Sequence, residues 1–290
     1  MTRRRTAFAR MRAASALVLV AGVGIAVAAC ANQPAETSAA PSSPSTPLSA
    51  SPPPAATPVD YQLGGAYPPD PRVGIVARDR TAAPADGVYS ICYLNAFQTQ
   101  PGEREEWADD LVLRQDGTDV MDPDWPDEAL LDTRSDDARQ RIAARVGEWI
   151  DGCQAAGYDA VEFDNLDTYT RSDGLLSAED NLALATLLVE WAHHAGLAAG
   201  QKNAAEDAER LRAEAGFDFA VVEECAYYRE CAAYTDVYGD AVVAIEYTDA
   251  IDRPFEDLCA DPAVPASLVL RDRDLTTPGD ADYAFEICPR

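Results

Sequence analysis

The chain has 290 residues, 50 of them acidic and 23 basic, for a formal net charge of −27 and a pI near 4.2. Such a field repels polyanions, which excludes a nucleic-acid partner and favours a cationic ligand, although an acidic excess also serves plain solubility. With 47% hydrophobic and 25% charged residues the bulk of the chain is globular, and only His193 and His194 are available for imidazole chemistry.

Residues 1–29 hold five arginines (Arg3, Arg4, Arg5, Arg10, Arg12), no acid, and an unbroken run of apolar and small residues from Ala13 to Ala29. These are the n-region and h-region of an export signal, too short and wrongly flanked for a stable spanning helix. Val27-Ala28-Ala29-Cys30 resembles a bacterial lipobox, which makes Cys30 the expected lipidation site; ordinary signal cleavage after Ala29 is the alternative. Loss of residues 1–29 leaves 18 basic against 50 acidic side chains, a net charge of −32. Residues 30–59 carry eight prolines among Ser, Ala and Thr and are expected to be a solvated tether. The expected location is therefore the extracytoplasmic face of a bacterial membrane, with the lipid as the only membrane contact and a monomer as the default.

Six further cysteines remain: Cys92, Cys153, Cys225, Cys231, Cys259 and Cys288. An even number in an exported chain implies up to three disulfides, with fifteen possible pairings. Cys225–Cys231 and Cys259–Cys288 are the short-range candidates, leaving Cys92–Cys153. No CxxC pair occurs, so a zinc ribbon is not indicated.

Residues 60–290 are one uninterrupted stretch of 231 residues, long enough for a single barrel domain. Short apolar runs alternate with helical patterns, which predicts a parallel sheet. One helix starts at Ser135 as N-cap, with Asp136 and Asp137 in its first turn; Ile142, Val146, Trp149, Ile150 and Cys153 share a face, and Gly157 ends it. A second starts at Ser177, carries Leu184, Leu187, Leu188 and Trp191, and ends near Gly196, placing both histidines in its last turn as carbonyl caps. Nine strands are expected: Tyr61–Leu63, Val73–Ala77, Tyr89–Leu94, Ala129–Asp132, Ala160–Asp164, Ala198–Lys202, Phe219–Glu223, Val242–Glu246 and Leu268–Arg271. That is one more than an eight-stranded α/β barrel needs, and the pattern alone does not identify the extra one.

Alternation in Ala160-Val161-Glu162-Phe163-Asp164 sends the apolar pair under the helices and turns Glu162 and Asp164 into the barrel. The same reading points Tyr93, Asp132, Lys202, Glu224 and Glu246 inward, and Cys92 outward towards the helix carrying Cys153. Acids and a cation meeting at the C-terminal mouth are where barrel enzymes keep their sites. Lys202 is the single lysine against 22 arginines, which hints at a role that a planar guanidinium cannot fill.

Seven blocks occur in order: Tyr61-Gln62-Leu63, Cys92-Tyr93, Leu131-Asp132, Gly157 through Asp167, Gln201-Lys202-Asn203, Glu223-Glu224-Cys225 with Cys231, and Ile245-Glu246-Tyr247. Together they resemble glycoside hydrolase family 114, the endo-α-1,4-polygalactosaminidase-like proteins. The resemblance implies a TIM-like (β/α)8 barrel that cleaves α-1,4-linked galactosamine-containing polysaccharide without a cofactor or metal. It further implies Asp164 as nucleophile and Glu224 as general acid/base of a retaining mechanism, with carboxyl groups about 5–5.5 Å apart. Glu162, Asp167 and Glu246 are candidates to hold sugar hydroxyls or an amine, beside Asp132, Lys202 and Asn203; Tyr93, Tyr247 and Trp125 are candidates to stack on sugar faces. The segment from Asn95 to Pro101 departs from the family pattern and is expected to border the cleft. Rival readings give the acid role to Glu246, or make the chain a non-catalytic carbohydrate-binding lipoprotein. A calcium-stabilised structure is a third, for which no EF-hand spacing is present.

Overall fold

A computed structural model describes residues 50–289, so the export segment, Cys30 and the tether up to residue 49 lie outside the described residues. In chain order the strands are β1 (Val59–Tyr61), β2 (Ile75–Asp79), β3 (Tyr89–Asn95), β4 (Arg114–Gln115), β5 (Thr118–Asp119), β6 (Ala160–Asp164), β7 (Ala198–Lys202), β8 (Phe219–Glu223), β9 (Val242–Tyr247), β10 (Ser267–Arg271) and β11 (Phe285–Ile287). The helices are α1 (Asp136–Ala156), α2 (Ala178–Ala195), α3 (Ala208–Arg210), α4 (Cys225–Tyr228), α5 (Cys231–Tyr238) and α6 (Phe255–Ala260). Nine strands form one sheet, ordered β1-β2-β3-β6-β7-β8-β9-β10-β11, with every neighbouring pair parallel except β10–β11. Polar contacts close the seam between β10 and β1. Thr57 N donates to Ser267 Oγ at 3.0 Å, and the fully buried Arg271 donates to the Tyr61 carbonyl with Asp60 Oδ1 at 3.3 Å. The result is the expected TIM-like barrel, nearly closed, with β11 laid antiparallel on the edge of β10.

Alternation sorts the core into two layers. Val59, Tyr61, Ile91, Ala160, Ala198, Phe219, Val221, Val243, Ile245 and Val269 fill the barrel, while Cys92, Leu94, Val161, Phe163, Ala220, Val222 and Ala244 face the helices. Ser135 Oγ accepts from Ala138 N at 3.1 Å to start α1, and Gly157 ends it at φ 96°. Ser177 and Asp180 form a full capping box on α2, and Gly196 closes it at φ 81°. His194 Nδ1 lies 2.6 Å from the Glu190 carbonyl, while His193 Nε2 meets Asp218 at 2.7 Å. The three disulfides join Cys92 to Cys153, Cys225 to Cys231 and Cys259 to Cys288.

Three expectations are corrected. Ala129–Asp132 is the surplus strand: it makes isolated bridges to Gln98, Val112 and Met121 within the long β3–α1 excursion and never joins the barrel. The strand β11, which follows a turn-rich segment, is absent from the sequence reading. The last ten residues of the tether are docked on the barrel, since Tyr89 donates to the Ser51 carbonyl at 2.6 Å and Pro53 and Pro58 are buried.

Candidate active site

The C-terminal ends of β3, β6, β7, β8 and β9 open onto a cavity of about 680 Å³. Its floor is organised by Lys202, whose side chain is 2% exposed. The ammonium lies 3.3 Å from Glu223 Oε2, 3.4 Å from Glu162 Oε1 and 3.6 Å from Asp164 Oδ2. Burial works against that charge, and the three carboxylates outweigh it, holding the lysine pKa well above its usual range. Tyr61 donates to Glu162 at 2.5 Å and accepts from Lys202 at 3.1 Å, so it locks the lysine from below.

Asp164 accepts from the Tyr93 hydroxyl at 2.7 Å and, on its other oxygen, from Asn165 N at 2.8 Å. Glu223 accepts from Asn203 Nδ2 at 3.0 Å and from the Tyr247 hydroxyl, while its own N donates to Asn203 Oδ1 at 2.8 Å. Burial pushes the Glu223 carboxyl up, but Lys202 and these hydrogen bonds outweigh it and leave it below the usual glutamate value. Glu224, one residue past β8 in the left-handed region (φ 58°), also lines the cavity. Both of its oxygens are taken by Arg273, at 2.8 and 2.9 Å.

Of the residues singled out in the sequence, Tyr93, Asp164, Asp167, Lys202, Asn203, Glu224, Tyr247 and Trp125 line this cavity. Tyr93 and Tyr247 do so as hydroxyl donors to the carboxylates. Asp167 pairs with Arg171 at 2.8 Å. Glu162 is fully buried beneath Lys202 and out of reach of a sugar. Burial lifts its carboxyl to about 7 despite Lys202 and Tyr61. Glu246 is outside the cavity, because Val243, Ile245 and Tyr247 are the inward positions of β9. Its carboxylate instead accepts from Ala226 N at 2.8 Å, which removes it as the rival acid. Asp132 pairs with Arg134 and is also outside, since its segment is not a barrel strand and alternation does not apply. The Asn95–Pro101 segment stands behind the wall: Asn95 donates to Glu128 at 2.8 Å and Gln98 to Asp122 at 2.5 Å.

Sequence reasoning missed Glu223, although the parity of β8, with Phe219 and Val221 inside, points to it rather than to Glu224. Asp122, Glu128, Arg171 and Arg273 were also missed; Arg171 ends a short 3-10 helix (Thr168–Arg171) and the others come from loops, where no periodicity marks them.

A parallel barrel with two carboxylates flanking a buried cation at its C-terminal mouth has the build of a barrel hydrolase. The sequence matches the model of glycoside-hydrolase family GH114 over residues 38–290, and the chain belongs to that family of glycoside hydrolases. The crystal structure of Aspergillus fumigatus Ega3 in complex with galactosamine is similar in fold, with 24% identity and a TM-score of 0.62. That alignment covers 81% of this chain and 96% of Ega3. The glycoside hydrolase domain of PelA from Pseudomonas aeruginosa aligns at 15% identity and a TM-score of 0.48, over 79% of this chain and 99% of that domain. No curated protein sequence matches the chain.

Proposed function

We propose that the enzyme cleaves α-1,4-linked galactosamine-type polysaccharide with Asp164 as nucleophile and a glutamate at the end of β8 as general acid/base, with retention. The observation that carries this reading is the sharing of Lys202 by Asp164 and Glu223. With each carboxylate oxygen near one ammonium, the two oxygens are no more than about 6.9 Å apart, a limit that admits the roughly 5–5.5 Å of a retaining pair and only the short end of the roughly 6.5–9.5 Å of an inverting one. The galactosamine bound to Ega3 and the acid-rich cavity support the sugar class.

The sequence favours Glu224 as the acid, whereas the geometry favours Glu223. Glu223 projects inward in the same layer as Asp164; Glu224 is committed on both oxygens to Arg273. The test is turnover of partly deacetylated polygalactosamine by Asp164→Asn, Glu223→Gln and Glu224→Gln, with the product anomer followed by NMR. Asp164→Asn and Glu223→Gln are expected to lose about 10²–10⁴ in rate, Glu224→Gln far less, and the first product to be the α-anomer. A dead Glu224→Gln beside an active Glu223→Gln returns the acid role to Glu224. An active Asp164→Asn, or inversion, overturns the mechanism.

Export and lipid anchoring at Cys30 belong to the same proposal, supported by the N-terminal sequence and by the three disulfides, which suit an oxidising compartment. Cys30→Ala is expected to move the enzyme from the membrane fraction to the medium; an unchanged distribution removes the anchor.

A further inference from the structure

The β3–α1 excursion delivers one tight turn to the cavity wall. Asp122 Oδ1 accepts from Asp124 N at 2.9 Å and Trp125 N at 3.2 Å, and Glu128 N donates to the Trp125 carbonyl at 2.9 Å. Arg171 and Gln98 hold the other oxygen of Asp122, at 2.6 and 2.5 Å, so the turn is fixed to the barrel. It presents Trp125, 60% exposed, and Glu128, 9% exposed, to the same cavity.

Glu128 stands apart in the charge balance of the cavity. Among the described residues eight carboxylates line the cavity against three cations. Asp164 and Glu223 share Lys202, Asp122 and Asp167 share Arg171, and Glu224 has Arg273. Asp124 and Asp274 pair with no cation among the described residues but are exposed to water. Among the described residues Glu128 is the cavity carboxylate that is both buried and without a cation. Asn95 donates to its Oε2 at 2.8 Å, and among the described residues no other hydrogen bond reaches this carboxylate. Burial and the nearby Asp164 and Asp122 push this carboxyl up to about 7, against the pull of Asn95 and Arg171. A buried carboxylate is stabilised by a cation with N–H donors far more than by a neutral hydroxyl or amide.

We propose that Glu128 and Trp125 form a receptor for the protonated amine of a hexosamine, so that Glu128 sets the preference for deacetylated over N-acetylated sugar. This rests on the hydrolase reading above and adds the residue that reads the nitrogen. Trp125 offers the apolar face on which a sugar ring stacks, and Glu128, from the same turn, lines the same cavity to receive the ammonium.

The test titrates galactosamine, N-acetylgalactosamine and galactose into the wild-type protein and Glu128→Gln, an isosteric change that keeps the Asn95 hydrogen bond. NMR or calorimetry reads binding, and turnover is measured on polymers of defined acetylation. The wild type is expected to prefer galactosamine, and Glu128→Gln to weaken it about tenfold or more while changing N-acetylgalactosamine by less than about threefold. Equal wild-type affinity for the two sugars, or a preference that survives Glu128→Gln, overturns the assignment. Loss of turnover on every substrate with binding intact overturns it too, since it would place Glu128 in catalysis. If no galactosamine polymer is cleaved but Glu128-dependent galactosamine binding persists, the substrate reading falls and the receptor stands.

Discussion

Lys202 is where the chemistry of single residues can be tested most directly. Its ammonium lies beside both Asp164 and Glu223, and the Glu223 pKa that it helps to lower has a kinetic consequence. An acid that must carry a proton, yet has its pKa held low, works best in acidic solution. The rate is therefore expected to rise as pH falls from 7 towards 5. In Lys202→Met the cation is gone, the glutamate pKa moves up, and the alkaline limb of the pH–rate profile should shift upward by about one unit or more, with a lower maximal rate. A profile that keeps its alkaline limb in Lys202→Met would show that Lys202 does not set the proton affinity of the acid. The lone lysine was visible in the sequence as a compositional oddity, but its three partners were not. Glu162 and Asp164 followed from alternation in one strand, whereas Glu223 ends an otherwise apolar strand whose pattern does not mark its inward set.

At the scale of elements, what the sequence revealed is what local chemistry decides. Ser135 with Gly157, and Ser177 with Gly196, mark α1 and α2 because caps satisfy backbone groups within one turn. Parity failed at β8 and β9 because both strands are buried on both faces, so no apolar–polar alternation marks which set turns inward. Glu224 sits in a left-handed turn after β8, and β9 runs one residue beyond Glu246 to the inward Tyr247. Glu128 lies in a loop and Arg171 in a short 3-10 helix, both placed by contacts far along the chain. Strand β7 shows how packing and site are coupled. A Cβ on Gly200 would stand 2.5 Å from the Phe219 ring inside the barrel, two residues before Lys202. Gly200→Ala is expected to destabilise the fold by about 1–3 kcal/mol in urea unfolding, because a filled core has no room for the methyl. It should also lower activity by moving Lys202. Unchanged stability would mean that Phe219 has space to rotate away.

The whole molecule carries an excess of negative charge, and its pH response separates global repulsion from local burial. Glu128, Glu162 and Glu246 each have a carboxyl raised by burial to about 7. A raised folded-state pKa means that the native state binds the proton more tightly than the unfolded chain does. Stability is therefore lost as pH rises from about 4.5 to 7. Glu223 and Asp122 are lowered, and their contribution is lost only as pH falls below the usual carboxylate range. The two trends place the stability maximum in mild acid, with Tm at pH 5.5 above Tm at pH 8. Self-repulsion of a chain at −27 has the same sign, so a scan alone cannot assign the cause. Glu246 separates them, being buried under α4 and away from the cavity. A displacement from about 4.5 to about 7 corresponds to roughly 3 kcal/mol at neutral pH. Glu246→Gln is thus expected to raise Tm at pH 8 relative to pH 5.5 and to do so equally in about 1 M salt, where surface repulsion is screened to within roughly 3 Å. If salt abolishes the pH dependence and Glu246→Gln leaves it unchanged, the acid preference of the fold comes from its overall charge and not from its buried carboxyls.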